Sequence, residues 1–488
     1  MTGVQTCALP ILSIAAAVED KYPWVIVDGN RETDPLEKIK GHLSTGDFGF
    51  FGCTVMPGPQ LKEAVLITQQ VKAAYPELVI IWGGYFPSNQ YKVVLESGIV
   101  DFVINGPGDL AFPELLDALS SGGPLDGIRN LIFQKNGQII KNPKGELPDQ
   151  DSLPPLPYGQ LDRLYGFEKY LGKTYLGNRT LAYHSSIGCP FTCSFCAVVP
   201  IYEARWKAKS AEGIYKDIKY VKDRWGADSI EFHDNNFFVS EKRVNAFSRL
   251  IRQEDMVWWG EGRIDTIDKY SDSSIALMRE AGCKMIFFGA ETGNDEILKK
   301  MNKGGTQSGD QIRKFARRMR QFDIIPEYSF VLGTPQSTPQ LVMNQIDQDI
   351  AFIKEIKSIN PDTEIVIYIY SPVPTPGSYL YDQVLATGFR FPEKLADWVG
   401  PQWESFDLRK NPLTPWLTVE MVDKIKDFET VLNGFYPTVS DIRLSAIKRR
   451  ILHLLSGLRY RRNWYNYPLE IKLLHKIWKY RQPEIQGF

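Results

Sequence analysis

The most informative stretch of this 488-residue chain is Gly188-Cys-Pro-Phe-Thr-Cys-Ser-Phe-Cys196. It carries three thiols, Cys189, Cys193 and Cys196, with C-x3-C-x2-C spacing on one short segment. A four-iron cubane usually takes four cysteines, so three leave one iron open to a ligand that is not protein. The alternative is a structural zinc site, which favours four ligands in paired C-x2-C spacings. The chain has no second cysteine pair, and His184 is the only histidine nearby.

This cluster loop resembles that of the radical S-adenosylmethionine (radical SAM) enzymes. The spacing matches, as do the aromatic Phe195 before the last cysteine and the apolar run before the loop. The resemblance implies a 4Fe-4S cluster on the three cysteines, with SAM bound at the open iron. It also implies that Cys189, Cys193 and Cys196 are the catalytic metal ligands and that Phe195 lies beside the cofactor.

Composition favours a large protein with two or three domains, by a soft rule of about 150 residues per domain. The chain is 43% hydrophobic and 24% charged, which is enough for sizeable cores and argues against disorder. Of its six cysteines, three lie outside the loop, Cys7, Cys53 and Cys283, without a disulfide-like pattern. This cysteine usage predicts a reducing compartment, and so a cytoplasmic location.

Charge is unevenly distributed along the chain. Residues 441–488 carry eleven Lys/Arg and three Asp/Glu, whereas the preceding 440 residues have a net charge of −9. The acidic body argues against nucleic acid as a partner. The basic tail interleaves Leu, Ile and Trp with its cations, so it suits helices packed on the acidic body, helices lying on an anionic membrane, or an RNA contact.

Long apolar segments are absent from the sequence. No run of 18 apolar residues occurs, so the sequence predicts no membrane span. The apolar segment from Cys7 to Val18 has no preceding Lys or Arg, and we interpret it as a first helix rather than a secretion signal.

The N-terminal region, to about residue 145, alternates apolar runs with helical patterns. This alternation predicts an α/β fold of flavodoxin or Rossmann type, with a parallel sheet and helices on both faces. Ligands in such sheets lie beyond the carboxyl ends of the strands. A helix follows from Leu61, and the strand-like runs cover residues 24–27, 48–53, 78–82 and 101–104.

The loops after three of these runs resemble those of the cobalamin (B12)-binding domain that precedes many radical SAM domains. They are the segments 54–59, 83–87 and 106–109, rich in glycine. A flavodoxin-like domain without a corrinoid is the alternative. No Asp-x-His-x-x-Gly motif occurs, so no histidine is placed to ligate cobalt from below, and the strand expected before the helix at 11–20 is missing. The resemblance implies cobalamin contacts at Thr54, Met56, Gly58, Gly83, Gly84, Tyr85, Gly106 and Gly108.

A proline-rich linker is predicted at residues 146–165, between the N-terminal domain (1–145) and the catalytic domain (166–400). Six strand-like runs separated by helical patterns predict a partial (β/α)6 barrel of TIM type, in which polar residues at strand ends are the usual catalytic positions. A helical, basic segment (401–488) follows. The strand-like runs are 180–184, 229–233, 257–260, 285–289, 327–332 and 364–368.

The strand ends of the predicted barrel supply the candidate SAM contacts. Asp234, Asn235 and Asn236 follow the second strand, where an Asx turn capping the next helix is the alternative. Arg263 follows the third strand and has a planar fork suited to the SAM carboxylate, with a surface ion pair as the alternative. Glu291, in a Gly-x-Glu segment, is a candidate for the ribose or amino group, or else a buried partner of Arg263. Ser329 on the fifth strand is the last candidate.

Together these features resemble the cobalamin-dependent radical SAM methyltransferases over residues 12–400. The resemblance implies methylation of an unactivated carbon, with a small-molecule or lipid-like substrate and an electron donor such as flavodoxin or ferredoxin. An oxidative cyclase or rearrangement enzyme with the same cofactors is one alternative, and a non-catalytic corrinoid and iron–sulfur carrier is another. A tRNA methylthiolating enzyme would need a second cysteine set, which the N-terminal region lacks.

Overall fold

The N-terminal part of the chain forms a five-stranded sheet flanked by helices. The computed structural model describes residues 8–303, 306–372, 379–404, 413–438 and 444–478. The elements of this first part are α1 (Ala8–Val18), α2 (Pro35–Leu43), β1 (Phe50–Thr54), α3 (Pro59–Ala74), β2 (Val79–Gly83), α4 (Tyr85–Glu96), β3 (Phe102–Ile104), α5 (Ala111–Ser121), β4 (Leu131–Lys135) and β5 (Gln138–Lys141).

The sheet is mixed: it contains the predicted parallel strands and adds an antiparallel hairpin that was not predicted. Its strands run in the order β1-β2-β3-β4-β5, and only the first three are parallel. The last two strands form an antiparallel hairpin whose turn is Asn136-Gly137, both with positive φ. Asn-Gly favours this two-residue turn, so the sequence did contain a signal for the hairpin.

The apolar run at residues 24–27 is not a strand, contrary to the prediction. Its backbone polar groups bond to the Tyr165 side chain instead of a neighbouring strand: Tyr165 donates to the carbonyl of Ile26 and accepts from the amide of Asp28. Ile26 packs into the barrel core. This segment therefore ties the N-terminal part to the barrel rather than extending the first sheet.

The predicted linker is only partly irregular. Residues 153–157, which hold its prolines, lie outside helices and strands, but α6 (Tyr158–Tyr165) follows at once. Tyr158 and Leu161 of this helix are buried in the barrel core. The proline segment thus ends where burial of an apolar helix face begins.

The second sheet confirms the predicted partial barrel. Six parallel strands lie in the order β13-β12-β11-β10-β9-β6, joined through helices. The elements are β6 (Thr180–Tyr183), β7 (Ser186–Gly188), α7 (Val199–Tyr202), β8 (Trp206–Ala208), α8 (Ala211–Trp225), β9 (Ser229–Phe232), α9 (Glu241–Ile251), β10 (Val257–Gly262), α10 (Ile264–Ile267), α11 (Asp272–Glu280), β11 (Cys283–Glu291), α12 (Asp295–Lys300), α13 (Gly309–Gln321), β12 (Ile325–Leu332), α14 (Pro339–Ile359) and β13 (Glu364–Ile369).

The two faces of the barrel sheet differ in chemistry. Ile230, Phe232, Trp258, Ile286 and Phe288 belong to the main apolar core, which lies between strands and helices. Because side chains alternate along a strand, the residues between them face the barrel interior. That inner face carries polar groups available to a substrate or cofactor, whereas the outer face is packed against the helices.

The C-terminal part is helical, as predicted. Its elements are α15 (Tyr379–Ala386), α16 (Leu395–Trp398), α17 (Pro401–Glu404), α18 (Val419–Phe435), α19 (Ala446–Arg461) and α20 (Leu469–Trp478). Met421, Ile425 and Phe428 on α18 join the barrel core. Within the described ranges, no helix has the length and apolar character needed to cross a bilayer.

Candidate active site

The cluster loop lies between β7 and β8, which pair as a short antiparallel ribbon at the mouth of the barrel. Gly188 opens the loop with φ of 76°, and a Cβ there would come within 2.1 Å of the Arg205 carbonyl oxygen. Only glycine fits this approach. The close approach of the backbone at Gly188 to that at Arg205 therefore fixes the position of the next residue, Cys189.

The three thiols of the loop lie close together and are largely enclosed. Burial raises the pKa of Cys189 and raises that of Cys196 to about 12, and the neighbouring Cys193 raises both pKa values further. Backbone amides of Phe191 and Val198 bond to Cys189 and Cys196 and act in the opposite direction. Iron must therefore displace a proton from each of these two buried thiols.

The donor set fits a cubane. In the part of the chain that the structure describes, no three His, Cys, Asp or Glu side chains converge on a point where one ion would bind. A cubane needs a different arrangement, in which each thiolate binds its own iron. Hydrogen bonds to the sulfurs then tune the cluster potential, and such donors are present at all three cysteines.

Arg263 is one of those donors. Its Nη1 lies 3.0 Å from the Cys193 sulfur, and its guanidinium lies 4.0 Å from the centre of the Phe191 ring. Its other nitrogens form a bidentate pair with Asp265 at 2.9 and 2.8 Å. The predicted alternative, a pair between Arg263 and Glu291, is wrong, because Asp265 two residues further on reaches the same fork.

Glu291 instead pairs with Lys303, which the sequence reasoning missed. The Lys303 ammonium donates to the Glu291 carboxylate at 2.6 Å and to the Gly289 carbonyl at 2.7 Å, and both side chains are buried. Lys303 also lies 5.8 Å from the centre of the Phe195 ring, and its charge lowers the pKa of Cys196. Nothing in the sequence marked this lysine, because its partner is twelve residues away on another element.

Asp234 holds the entrance to the cluster loop. Its fully buried carboxylate accepts hydrogen bonds from the Ser185 amide and from the hydroxyls of Ser185 and Ser186. Arg243 in turn bonds to the Ser185 hydroxyl. Contact of Asp234 with SAM stays a prediction, and the structure adds a second role for it, in shaping the chain that leads to the cysteines.

The two asparagines after Asp234 have different environments. Asn236 is buried, and its side-chain oxygen caps the amide of Phe238, so the predicted Asx turn exists at this residue. Its buried side-chain amide faces Cys189 and lowers the pKa of that thiol as a hydrogen-bond donor. Asn235 is exposed. Of the pair, Asn236 is the one placed to act on the cluster or its ligand.

The barrel interior holds acidic groups that the sequence reasoning did not select. Glu231 and His233 lie 3.4 Å apart, and Trp259 donates to Glu327 at 3.0 Å. Burial raises the pKa of Glu261 to about 7. The signal was present in the alternation of Ser229, Glu231 and His233 on one strand and of Trp259 and Glu261 on the next.

Two further side chains line this interior. Burial lowers the pKa of His184 to about 4, and its ring lies 6.1 Å from that of His233. Ser329 is buried on the inner face of β12, with its hydroxyl 3.4 Å from the Phe288 carbonyl. The contact of Ser329 with SAM stays a prediction.

The carboxyl edge of the N-terminal sheet is built mainly from backbone. Gly84 has φ of 96°, and a Cβ there would lie 2.8 Å from the Thr54 hydroxyl and 3.1 Å from the Val55 amide. Gly58 and Gly106 also have positive φ, and the Gly106 amide donates to Ser88. Gly83 ends β2, so these glycines bring backbone close to any ligand above the edge.

The other candidate cobalamin contacts lie at the same edge, whereas the region's histidine does not. Met56 is exposed, Tyr85 begins α4, and a Cβ on Gly108 would meet Ile14 at 2.6 Å. His42 packs edge-on against Phe48, two residues before β1 begins, and so lies towards the amino end of the sheet. His42 is therefore not placed to ligate a cobalt ion above the carboxyl edge.

The two carboxyl edges face each other. The Asn89 side chain donates to the Ala197 carbonyl just after the cluster loop, and Lys144 bridges the Asn105 side chain and the Ile201 carbonyl. Burial, and then the charge of Cys196, raises the pKa of Tyr85, which makes these two groups neighbours. The candidate corrinoid loops and the cluster loop thus share one interface.

A family model for the radical SAM superfamily matches residues 183–343, which include the cluster loop and most barrel strands. Residues 183–343 therefore form a radical SAM domain. An uncharacterized methyltransferase of Pyrococcus horikoshii is 27% identical over 392 residues, 79% of this chain and 80% of that protein. An anaerobic magnesium-protoporphyrin IX monomethyl ester cyclase of Synechocystis is 25% identical over 62% of this chain and 58% of that protein.

Among solved structures, the fold of this chain is similar to that of TsrM from Kitasatospora setae. TsrM is a radical SAM methyltransferase whose structure contains cobalamin and a 4Fe-4S cluster. The match has a TM-score of 0.65 at 16% identity and covers 96% of each chain. It therefore includes the N-terminal sheet and the C-terminal helices as well as the barrel.

Proposed function

We propose that this chain is a radical SAM enzyme that uses a 4Fe-4S cluster, SAM and cobalamin to methylate an unactivated carbon of its substrate. The observation that carries the proposal is the direct apposition of the two carboxyl edges. The cluster loop lies against the glycine-rich strand ends through Asn89, Lys144 and Tyr85. A methyl donor bound at one edge and a radical formed at the other would meet the same substrate.

The chain's own residues have defined tasks in this proposal. Cys189, Cys193 and Cys196 hold three irons, while Arg263 and Asn236 direct N–H groups at the sulfurs or at SAM. Gly84 and Gly106 leave the backbone of this edge open to a flat macrocycle, and a Cβ on Gly84 would displace Thr54 and Val55, which lie at the same edge. When bound, SAM, cluster and cobalamin supply the radical and the methyl group, and the protein supplies position and exclusion of water.

Support for a methyl transfer, as opposed to another outcome, comes from the relatives. The Pyrococcus protein is named a methyltransferase and matches four fifths of the chain, and TsrM is a methyltransferase with the same overall fold. The names of the relatives do not agree on one class of substrate. The reacting carbon would lie between the inner barrel face and the N-terminal sheet.

The test is anaerobic reconstitution of the full chain with iron, sulfide and cobalamin, followed by incubation with SAM labelled in its methyl group. We expect four irons and one cobalt per chain, formation of 5′-deoxyadenosine, and label on a small molecule from an extract. The proposal fails if cobalt does not bind, or if SAM is cleaved without any methyl acceptor becoming labelled.

An oxidative cyclase is the second candidate, favoured by the match to the Synechocystis cyclase. The same incubation separates the two functions. A methylase adds one CH2 unit to its substrate and consumes the SAM methyl group, whereas a cyclase removes hydrogen and leaves the label on the methionine that SAM cleavage releases. Unlabelled product of lower mass would support the cyclase.

The reaction also needs an electron donor, for which a flavodoxin or ferredoxin is proposed. The free thiols among the described residues suit a reducing compartment such as the cytoplasm. Reduction of the cluster by purified flavodoxin, followed by its electron paramagnetic resonance signal, tests this part of the proposal. A cluster that only a chemical reductant can reduce would contradict it.

A further inference from the structure

The outer surface of the C-terminal helices is apolar where a surface helix is normally polar. On α19, Ile447, Ile451, Leu454 and Leu458 are between 39% and 74% exposed. Their spacing of four, three and four residues places them on one face of the helix. The opposite face of α19 is already buried, so this stripe is in addition to the one that holds the helix in place.

The buried face of α19 accounts for its packing on α18. Leu452 and Ser456 are fully buried, and Gly434 of α18 approaches Ser456 so closely that a Cβ would lie 3.1 Å away. His453 stacks on Phe435 at 4.3 Å between ring centres. The sequence prediction that these helices pack on the body is therefore right for one face and leaves the other face unexplained.

A second exposed stripe continues on α20. Leu469, Leu473 and Ile477, at every fourth position, are each more than half exposed. The loop between α19 and α20 presents Trp464 and Tyr467, also more than half exposed. Aromatic rings with a polar edge favour the boundary between water and lipid.

Basic side chains flank both stripes. Arg450 and Arg461 lie along one edge of the α19 stripe, and Arg462 lies along the other; all three are exposed. Lys476 stands beside Ile477 on α20 and is exposed too. Across residues 446–478 there are eight Lys/Arg and one Glu. Any surface that covers the stripes must therefore tolerate or attract this positive charge.

We propose that α19 and α20 dock this enzyme on the surface of an anionic membrane, with the stripes in the boundary of the acyl chains and the cations among the headgroups. A helix with an apolar face flanked by Lys and Arg lies in the plane of such a surface. A second copy of the chain would place the same positive surface against itself, so charge argues against a symmetric dimer. The α19 and α20 helices lie on the membrane without crossing it.

The test is flotation of the full-length protein with lipid vesicles. We expect binding to vesicles of phosphatidylcholine with phosphatidylglycerol, weaker binding to phosphatidylcholine alone, and release on raising the salt concentration. The double variant Leu454→Gln/Leu458→Gln should bind at least about tenfold more weakly. Two leucine side chains inserted into the membrane contribute more than one tenfold step in affinity. Both leucines are exposed, so the variant keeps its fold.

The matched control replaces exposed leucines elsewhere, Leu110→Gln and Leu341→Gln, and should bind as the unmodified protein does. The proposal is overturned if the unmodified protein does not float, or if the Leu454/Leu458 variant binds equally well. It is also overturned if light scattering shows a dimer that this variant alone dissociates, since the stripe would then be a self-interface.

Discussion

The carboxyl edge of the barrel and the carboxyl edge of the N-terminal sheet face each other, but they are built from different groups. The barrel edge relies on buried charged pairs, such as Arg263 with Asp265 and Lys303 with Glu291. The sheet edge relies on glycines with positive φ and on backbone amides. The barrel edge offers charged groups to its ligands, whereas the sheet edge offers open space beside the backbone.

This difference follows from what each edge is proposed to hold. A cluster and a charged amino-acid cofactor need fixed cations and N–H donors, because their own charges must be balanced in a dry site. A large corrinoid needs a flat surface close to the backbone, which glycine provides. Substitutions should therefore act on the two edges through different mechanisms.

The largest effect is expected at the cluster thiols. Cys193→Ala removes one of three iron ligands, and we expect SAM cleavage to fall to the uncatalysed background with loss of the iron–sulfur absorption. Cys283→Ala is the control, because this thiol lies in the core and away from the loop. Full iron content and activity in Cys193→Ala would contradict the assignment of the loop.

The next effect tests the charged edge through stability. Glu291→Gln leaves Lys303 as a buried cation without its carboxylate, and we expect the free energy of unfolding to fall by about 3–5 kcal/mol. The double variant Glu291→Gln/Lys303→Met should recover most of that loss in a urea titration. Glu280→Gln, at the exposed pair with Arg252, should change stability by less than about 1 kcal/mol. Equal destabilisation by Glu291→Gln and Glu280→Gln would contradict the greater importance of the buried charged pair.

The backbone-built edge is tested by two glycines of the same domain. Gly84→Ala adds a Cβ that meets Thr54 and Val55, and we expect cobalamin binding to weaken by about tenfold or more while iron content is unchanged. Gly98→Ala is the control for backbone strain, because Gly98 also has positive φ but has open space around it. Both variants should lose about 1–3 kcal/mol from strain. Equal loss of cobalamin in both would show that strain, not space, matters.

The smallest effect concerns pH. Burial raises the pKa of Glu261 from 4.5 to about 7, so the folded state binds this proton more tightly than the unfolded state does. The folding stability from this group is therefore lost as pH rises from about 4.5 to about 7. Glu261→Gln removes that loss, so its melting temperature relative to the unmodified protein should be higher at about pH 8 than at about pH 5. A difference that does not change with pH would mean that Glu261 is not enclosed in this way.

Much of the barrel could be predicted from the sequence, because each strand is a short apolar run followed by a helix with a clear period. The six runs became β6 and β9–β13 in the predicted order. The run at 24–27 is equally apolar but does not form a strand. An apolar segment is buried wherever it fits, and here Ile26 packs into the barrel core while Tyr165 bonds to the backbone of the segment.

The sequence by itself determined the local chemistry: three thiols at a spacing that suits a cubane, glycines at three strand ends, and a basic tail. Tertiary structure alone decided which groups meet. Arg263 binds Asp265 rather than Glu291, Lys303 fills the place beside Glu291, and the exposed stripe on α19 appears only once α18 has taken the opposite face. The physical reason is that spacing along a chain fixes local geometry, whereas charge pairing and burial depend on distances between elements that only the packed fold sets.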